Sequence, residues 1–380
     1  MKTPQNNKDS KMRTSTARIW TGLIALMAAG ITAQAQYTYT TLDDPLGMDT
    51  YANGISGTNI VGTYDDSSGD THGFLYNGST YTTLDDPLAA PFLFFGKRTY
   101  AQGISGTNIV GYYYDGNESI HGFVYNGGAW TTLDDPVSEA GGLTNTQANG
   151  ISGTNIVGYY YGYSSSVENN GFLYNGNAWT TLDDPLGVNT YAYGISETNI
   201  VGEYDTNGVS HGFLYNGRTW VTLDDPLGAI GTHANGVSGT NIVGEYTDAN
   251  GAYHGFLFNG RTWIALDDPL GAKGTQSEGT DAEGISGATI VGYYTDSNGV
   301  AHGFVATPTS SPTPSLAIAH LGRGLRISWP YPSTGWVLQQ NTDLSTTNWT
   351  PAIGVTNDGT INFISNTSPA GNLYFRLRQQ

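Results

Sequence analysis

The sequence predicts an all-β protein: a six-bladed β-propeller closed by its own N-terminal strand, followed by a small C-terminal β-sandwich. Three observations carry this. The 380 residues include 53 Gly and 26 Tyr with only 12 % charged side chains, the composition of short strands parted by turns. The tetrad Leu-Asp-Asp-Pro recurs six times, from Leu42, Leu84, Leu133, Leu182, Leu223 and Leu266. The array opens on a lone fourth strand and stops before its last one.

Residues 1–35 read as a secretion signal. Lys11 to Arg18 is basic, Ile19 to Ile31 is mostly apolar, and Ala33-Gln-Ala35 has the small-x-small form of a cleavage site. The apolar core is about 13 residues against the roughly 20 that span a bilayer, so no transmembrane segment is expected after cleavage. Residues 36–305 form the repeat domain and residues 306–314 a Pro/Ser/Thr linker. Residues 315–380 alternate polar and apolar side chains in short runs, the pattern of a β-sandwich.

Each repeat offers four strands, shown by the first copy and its neighbours. Ala52-Asn-Gly-Ile-Ser56 is followed by Asn59-Ile-Val-Gly-Thr-Tyr64, then His72-Gly-Phe-Leu-Tyr-Asn-Gly78, then Tyr81-Thr-Thr-Leu-Asp85. Gly- and Asn-rich turns part them, the chemistry of hairpins. Four antiparallel strands in about 45 residues make one propeller blade. Tyr37 to Asp43 is then expected to pair with His302 to Val305, closing the ring and removing two open edges.

The repeat Gly54-Ile-Ser-Gly-Thr-Asn-Ile-Val-Gly62 followed by His72-Gly-Phe-Leu-Tyr-Asn-Gly78 resembles the bacterial extracellular HAF repeat over residues 37–305. It departs in reading His-Gly-Phe where that family's name implies His-Ala-Phe. The resemblance implies a secreted repeat scaffold and brings no catalytic residues with it. The C-terminal segment, with Ser328-Trp-Pro330, Asn348-Trp-Thr350 and Phe375-Arg-Leu377, is similar to modules on secreted proteins of environmental bacteria.

Composition excludes several functions. There is no Cys, hence no disulfide, thiolate metal site or cysteine nucleophile. Residues 36–305 hold 5 basic against 29 acidic residues, net −24, which repels nucleic acid and anionic membrane. Twelve of those carboxylates are Asp43, Asp44, Asp85, Asp86, Asp134, Asp135, Asp183, Asp184, Asp224, Asp225, Asp267 and Asp268. Gathered on one face, they would take a divalent cation, calcium being the natural choice; otherwise no cofactor is expected. The competing reading is that each pair caps a turn ahead of its Pro. His72, His121, His211, His254 and His302 sit at equivalent positions, which argues against catalysis, since a reaction centre assembles unlike groups. Each is expected to bond a neighbouring blade's turn.

Function on a repeated scaffold belongs where the copies differ. The connections Leu88 to Gln102, Val137 to Asn149 and Leu270 to Glu283 are the long ones. The first carries Phe92, Phe94, Phe95, Lys97 and Arg98, expected either to contact a ligand or to plug the channel mouth; Tyr163, in the third copy's tyrosine cluster, is a further ligand candidate. The expectation is a secreted, non-enzymatic binding module for a polysaccharide or cell-surface protein. The alternative is a carbohydrate-active hydrolase or lyase that uses face carboxylates.

Overall fold

The computed structural model describes residues 37–136, 145–161, 169–272, 279–309, 314, 316–321, 324–330, 336–357, 361–366 and 373–379. Two compact units divide the chain near Pro314. Residues 1–36, which include the predicted signal, lie outside the described residues.

The first unit is a series of four-stranded antiparallel sheets joined in chain order, the fourth and fifth being linked into one eight-stranded sheet by a single parallel pair, Ser210 with Gly231. After β1 (Tyr37–Leu42), the first sheet holds β2 (Asp49–Ser56), β3 (Asn59–Asp65), β4 (Thr71–Tyr76) and β5 (Tyr81–Leu84). The second holds β6 (Thr99–Ser105), β7 (Asn108–Tyr114), β8 (Ile120–Asn126) and β9 (Ala129–Leu133). The third holds β10 (Thr146–Ser152), β11 (Asn155–Tyr160), β12 (Asn170–Tyr174) and β13 (Trp179–Leu182). The fourth holds β14 (Asn189–Ser196), β15 (Asn199–Thr206), β16 (Val209–Tyr215) and β17 (Trp220–Leu223). The fifth holds β18 (Gly231–Ser238), β19 (Asn241–Thr247), β20 (Tyr253–Phe258) and β21 (Trp263–Ala265). The sixth holds β22 (Thr280–Ser286), β23 (Thr289–Thr295) and β24 (Ala301–Pro308), and β1 lies on β24 with Tyr37 opposite Pro308 and Leu42 opposite Gly303.

The sheets meet at their first strands. A Cβ on Gly54 would lie 2.7 Å from the Gln102 carbonyl oxygen and 3.2 Å from Gly103 Cα, so a side chain there would push the sheets apart. The same contact runs from Gly103 to Gly150, Gly194, Gly236 and Gly284, and from Gly284 back to Gly54. Serines reinforce it: Gly106 N–H donates to Ser56 Oγ at 3.1 Å, and Gly57 N–H to Ser286 Oγ at 3.3 Å.

Between neighbouring sheets lie the apolar clusters. The Phe of each His-Gly-Phe, and of Asn170-Gly-Phe172 in the third copy, namely Phe74, Phe123, Phe172, Phe213, Phe256 and Phe304, is completely buried. Its ring tip lies under the glycine of Ile-Val-Gly: a Cβ on Gly62 would come within 2.7 Å of Phe74 Cζ. From the other side the Trp or Tyr that opens the fourth strand meets it edge-on, as Trp220 meets Phe213 at 4.9 Å between centroids. In the sixth sheet Tyr39 of β1 takes that place against Phe304, at 5.5 Å.

The second unit has two antiparallel sheets. One orders β25 (Ala317–Leu321), β26 (Gly324–Pro330), β30 (Ile361–Asn366) and β29 (Thr356–Asn357). The other orders β28 (Thr350–Pro351), β27 (Trp336–Asn341) and β31 (Tyr374–Gln379). Both supply one core of Ile327, Trp329, Leu338 and Ile364.

Phe213→Ala should lower the unfolding free energy by about 3–5 kcal/mol, the range for deleting a buried aromatic. Leu227→Ala, at a position 66 % exposed, should change it by less than about 0.5 kcal/mol. Urea titration of the two variants checks this; equal losses would contradict the packing described.

Candidate binding site in the central well

Each first strand carries a bulge. In β2, Ala52 pairs with Gly62 and Gly54 with Val61, leaving Asn53 as the extra residue. The equivalents are Gln102, Asn149, Tyr193, Asn235 and Glu283, where the register slips in the same way. A bulge re-aims its side chain, and all six line one cavity of about 270 Å³ enclosed by the first strands.

A second layer stands on the turnward side of this ring. It consists of cross-strand pairs: Tyr51 with Thr63, Tyr100 with Tyr112, Gln147 with Tyr159, Tyr191 with Glu203, His233 with Glu245, and Asp281 with Tyr293. The frame residues around these positions are nearly identical in the six copies, yet these side chains are not. Beyond the bulged ring, a collar of Ile55, Ile104, Ile151, Ile195, Val237 and Ile285 surrounds a smaller cavity of about 70 Å³.

Hydrogen bonds order the wall. Tyr159 Oη donates to Gln147 Oε1 at 2.8 Å and Tyr193 Oη to Glu203 Oε1 at 2.6 Å. His233 is held between two carboxylates, with Nε2 3.1 Å from Glu203 Oε2 and Nδ1 3.2 Å from Glu245 Oε1. Asp281 accepts from Asn235 Nδ2 and from Tyr293 Oη, both at 3.0 Å.

Burial and crowding displace these groups from their ordinary titration. Burial opposes the charge on His233, but the bond to Glu245 and the charge of Glu203 prevail and lift it to about 9. Burial raises Glu283, and the charge of Glu245 adds to the effect, to about 8. Asp281 is pushed up by burial and by both glutamates, and Glu203 by burial. The cluster therefore holds protons at neutral pH that isolated carboxyls would release.

The Asp-Asp-Pro pairs are built into turns. The second Asp of each pair is buried, and its N–H donates to a Thr Oγ1 of the next first strand at 2.8 to 3.1 Å. Oδ1 of Asp44, Asp86, Asp184, Asp225 and Asp268 accepts the N–H of the Leu two residues on. In five copies the first Asp meets a histidine: Asp85 with His72, Asp134 with His121, Asp224 with His211, Asp267 with His254 and Asp43 with His302, at 2.8 to 3.2 Å; the third copy, with Asp183, has Asn170 in the histidine's place. These histidines bond the fourth strand of their own sheet, not a neighbour's turn as expected, because antiparallel pairing sets His72 beside the end of β5. Among the described residues the one trio of ligand atoms close enough for a common metal ion is Asp66, Asp70 and His72, and no Asp-Asp-Pro carboxylate belongs to it. Asp66 Oδ1 there accepts the N–H groups of Ser68 and Asp70, as an Asx turn does.

The long loop projects outward. Phe92 and Phe95 exchange backbone hydrogen bonds of 3.2 and 2.9 Å, and Leu93 takes φ 51° in the tight turn between them. Phe94 is fully exposed and Phe95 56 % exposed, so this tip does not plug the well. Arg98 is folded under it, 3.8 Å from the Tyr114 ring centroid and 5.1 Å from that of Phe95. The Lys97 side chain is exposed while its N–H bonds Asp70. Tyr163 lies outside the described residues. Sequence reasoning looked for divergence in loop length and missed it in the x of Ala-x-Gly, where only the bulge turns a strand residue toward the centre.

The raised groups set a sign for stability against pH. Glu283 at about 8 and His233 at about 9 keep protons in the folded state that the unfolded chain gives up near 4.5 and 6.5. Stability should therefore fall as pH rises from about 5 to 9, by at most about 1.4 kcal/mol per unit for each proton. Glu283→Gln should flatten the part between 5 and 8 and melt above the parent protein at pH 8. A melting temperature that climbs over this range would contradict the assignment.

No family model matches the chain, and no curated protein matches it. Solved structures of low identity do. A fungal lectin of Aleuria aurantia, described as a six-bladed β-propeller with fucose recognition, is 13 % identical; the match covers 70 % of this chain and 97 % of that one at a TM-score of 0.44. AofleA from Arthrobotrys oligospora is 12 % identical over 90 % and 92 %, at 0.41. The β-propeller domain of the Trilobed protease from Pyrococcus furiosus, with an open velcro topology, is 10 % identical over 58 % and 82 %, at 0.37.

Proposed function

We propose that residues 36–305 are a six-bladed β-propeller of HAF-repeat type closed by β1, carried with a C-terminal β-sandwich on a protein secreted after loss of residues 1–35. It acts as a non-enzymatic binding module for a hydroxyl-rich ligand, a polysaccharide, seated in the central well. The observation that carries this is the divergence of the wall within a frame otherwise repeated six times: Asn53, Gln102, Asn149, Tyr193, Asn235 and Glu283 occupy one structural position. A frame that needed only to close could use one residue there throughout.

The chemistry of the wall suits such a ligand. Carboxamides and carboxylates pair with neighbouring hydroxyls, and tyrosine rings pack against the C–H faces of a sugar. The loop of Phe92, Phe94, Phe95, Lys97 and Arg98, with Phe94, Phe95 and Lys97 exposed, supplies a second contact at the rim. The enzymatic alternative drew on face carboxylates, and ten of those twelve are committed to turn capping or to histidines.

A panel of soluble polysaccharides tests the reading. The protein should bind at least one without releasing product, and Gln102→Leu and Tyr159→Leu should each weaken it about tenfold or more. Phe94→Ser should weaken it less while leaving the melting temperature unchanged. Full affinity in both well variants would overturn the assignment to the well, and product release would establish the enzymatic alternative.

A further inference from the structure

The two sides of the well are unlike. Asn53, Gln102, Tyr112, Gln147 and Tyr159, from the first three sheets, make a neutral, aromatic side. The fourth to sixth sheets bring Glu203, His233, Glu245, Asp281 and Glu283 together. The bulge is responsible for part of this: Asp281 and Glu283 both reach the cavity from one strand, and β19 of the adjacent sheet adds Glu245. His233 is the only cationic group there among the described residues, and it is already held between Glu203 and Glu245. Among the described residues no Lys or Arg lines the cavity.

We propose that the well selects a sugar bearing a protonated amine, with the ammonium among Glu245, Asp281 and Glu283 and the sugar ring against Tyr112 and Tyr159. This rests on the polysaccharide reading and narrows it to an amino sugar. A metal ion fits less well, since no three ligand atoms of this cluster come close enough to share one ion. An amino sugar spreads its donors over several ring atoms and so reaches separated acceptors. The neutral side, with Gln102 and Gln147, faces the uncharged hydroxyls. Burial and the charge of Glu245 keep a proton on Glu283, and the same crowding raises Asp281, so an arriving ammonium takes the place of a proton and binding should release one.

The test uses the tetramer of β-1,4-linked glucosamine and the same tetramer fully N-acetylated, titrated calorimetrically into the whole protein at pH 6.5. The free-amine tetramer should bind at least tenfold more tightly, and its proton release should appear in buffers of different ionisation heat. Glu283→Gln should bring the ratio of the two affinities close to one, lowering the free-amine tetramer's affinity far more than the acetylated tetramer's. If the protein binds both tetramers equally, or the acetylated one better, the charge inference fails and the polysaccharide reading stands. Binding of neither overturns the choice of an amino sugar. A preference that survives in a folded Glu283→Gln protein and in Glu245→Gln would place the amine outside the well and overturn the assignment.

Discussion

Everything in the first unit depends on how closely the first strands approach one another at Gly54, Gly103, Gly150, Gly194, Gly236 and Gly284. With a carbonyl oxygen of the next sheet 2.6 to 3.0 Å from where each Cβ would stand, no side chain fits between the sheets at that level. The chain must then send the preceding residue elsewhere, and the bulge sends it inward. One steric constraint thus produces both the tight seam between sheets and the ring of six side chains around the cavity. Behind the seam, the buried phenylalanines lock the sheets pairwise, each ring occupying the space its Ile-Val-Gly glycine leaves free.

Repetition divides the residues by duty. The Asp-Asp-Pro turns recur in every sheet, and in five of them a histidine on the first Asp and a tyrosine stacked on that histidine hold the exit turn, Asn170 standing in place of His in the third: Tyr64 lies 4.9 Å from His72, and Tyr294 5.2 Å from His302. The central wall is free of that duty and carries the chain's unlike groups. Its acidic side is costly, since carboxyls crowded out of water raise one another's proton affinity and strain the fold at high pH. Such a cost in stability is typical of sites kept for binding.

Much of this was legible in the sequence. Strand boundaries, hairpin turns and the pairing partner of Tyr37 to Leu42 follow from the spacing of Gly-Ile-Ser, Ile-Val-Gly and His-Gly-Phe and from the displaced fourth strand. The turn-capping reading of Asp44 and its equivalents was also within reach, because Asp before Pro has few other uses. The candidate site was not. Along Tyr51-Ala-Asn-Gly54, alternation sets Asn53 on the face opposite Ala52 but cannot say that this face turns to a central cavity while Ala52 is buried. Without the register slip at each bulge, Asn53, Gln102 and Glu283 read as spacers, whereas Phe92 to Arg98 stands out through length and composition. Glu245 and Asp281 lie 36 positions apart, and only the seam between the fifth and sixth sheets joins them.

The central claim is that ligand binds where the copies diverge, on the first two strands of each sheet. Hydrogen–deuterium exchange on the protein with and without a bound oligosaccharide reads this directly. Protection should appear in peptides spanning residues 99–114, 146–160, 231–247 and 280–295 and be absent from the fourth strands. Protection confined to residues 88–98, or to the outer strands near Trp220 and Trp263, would contradict it.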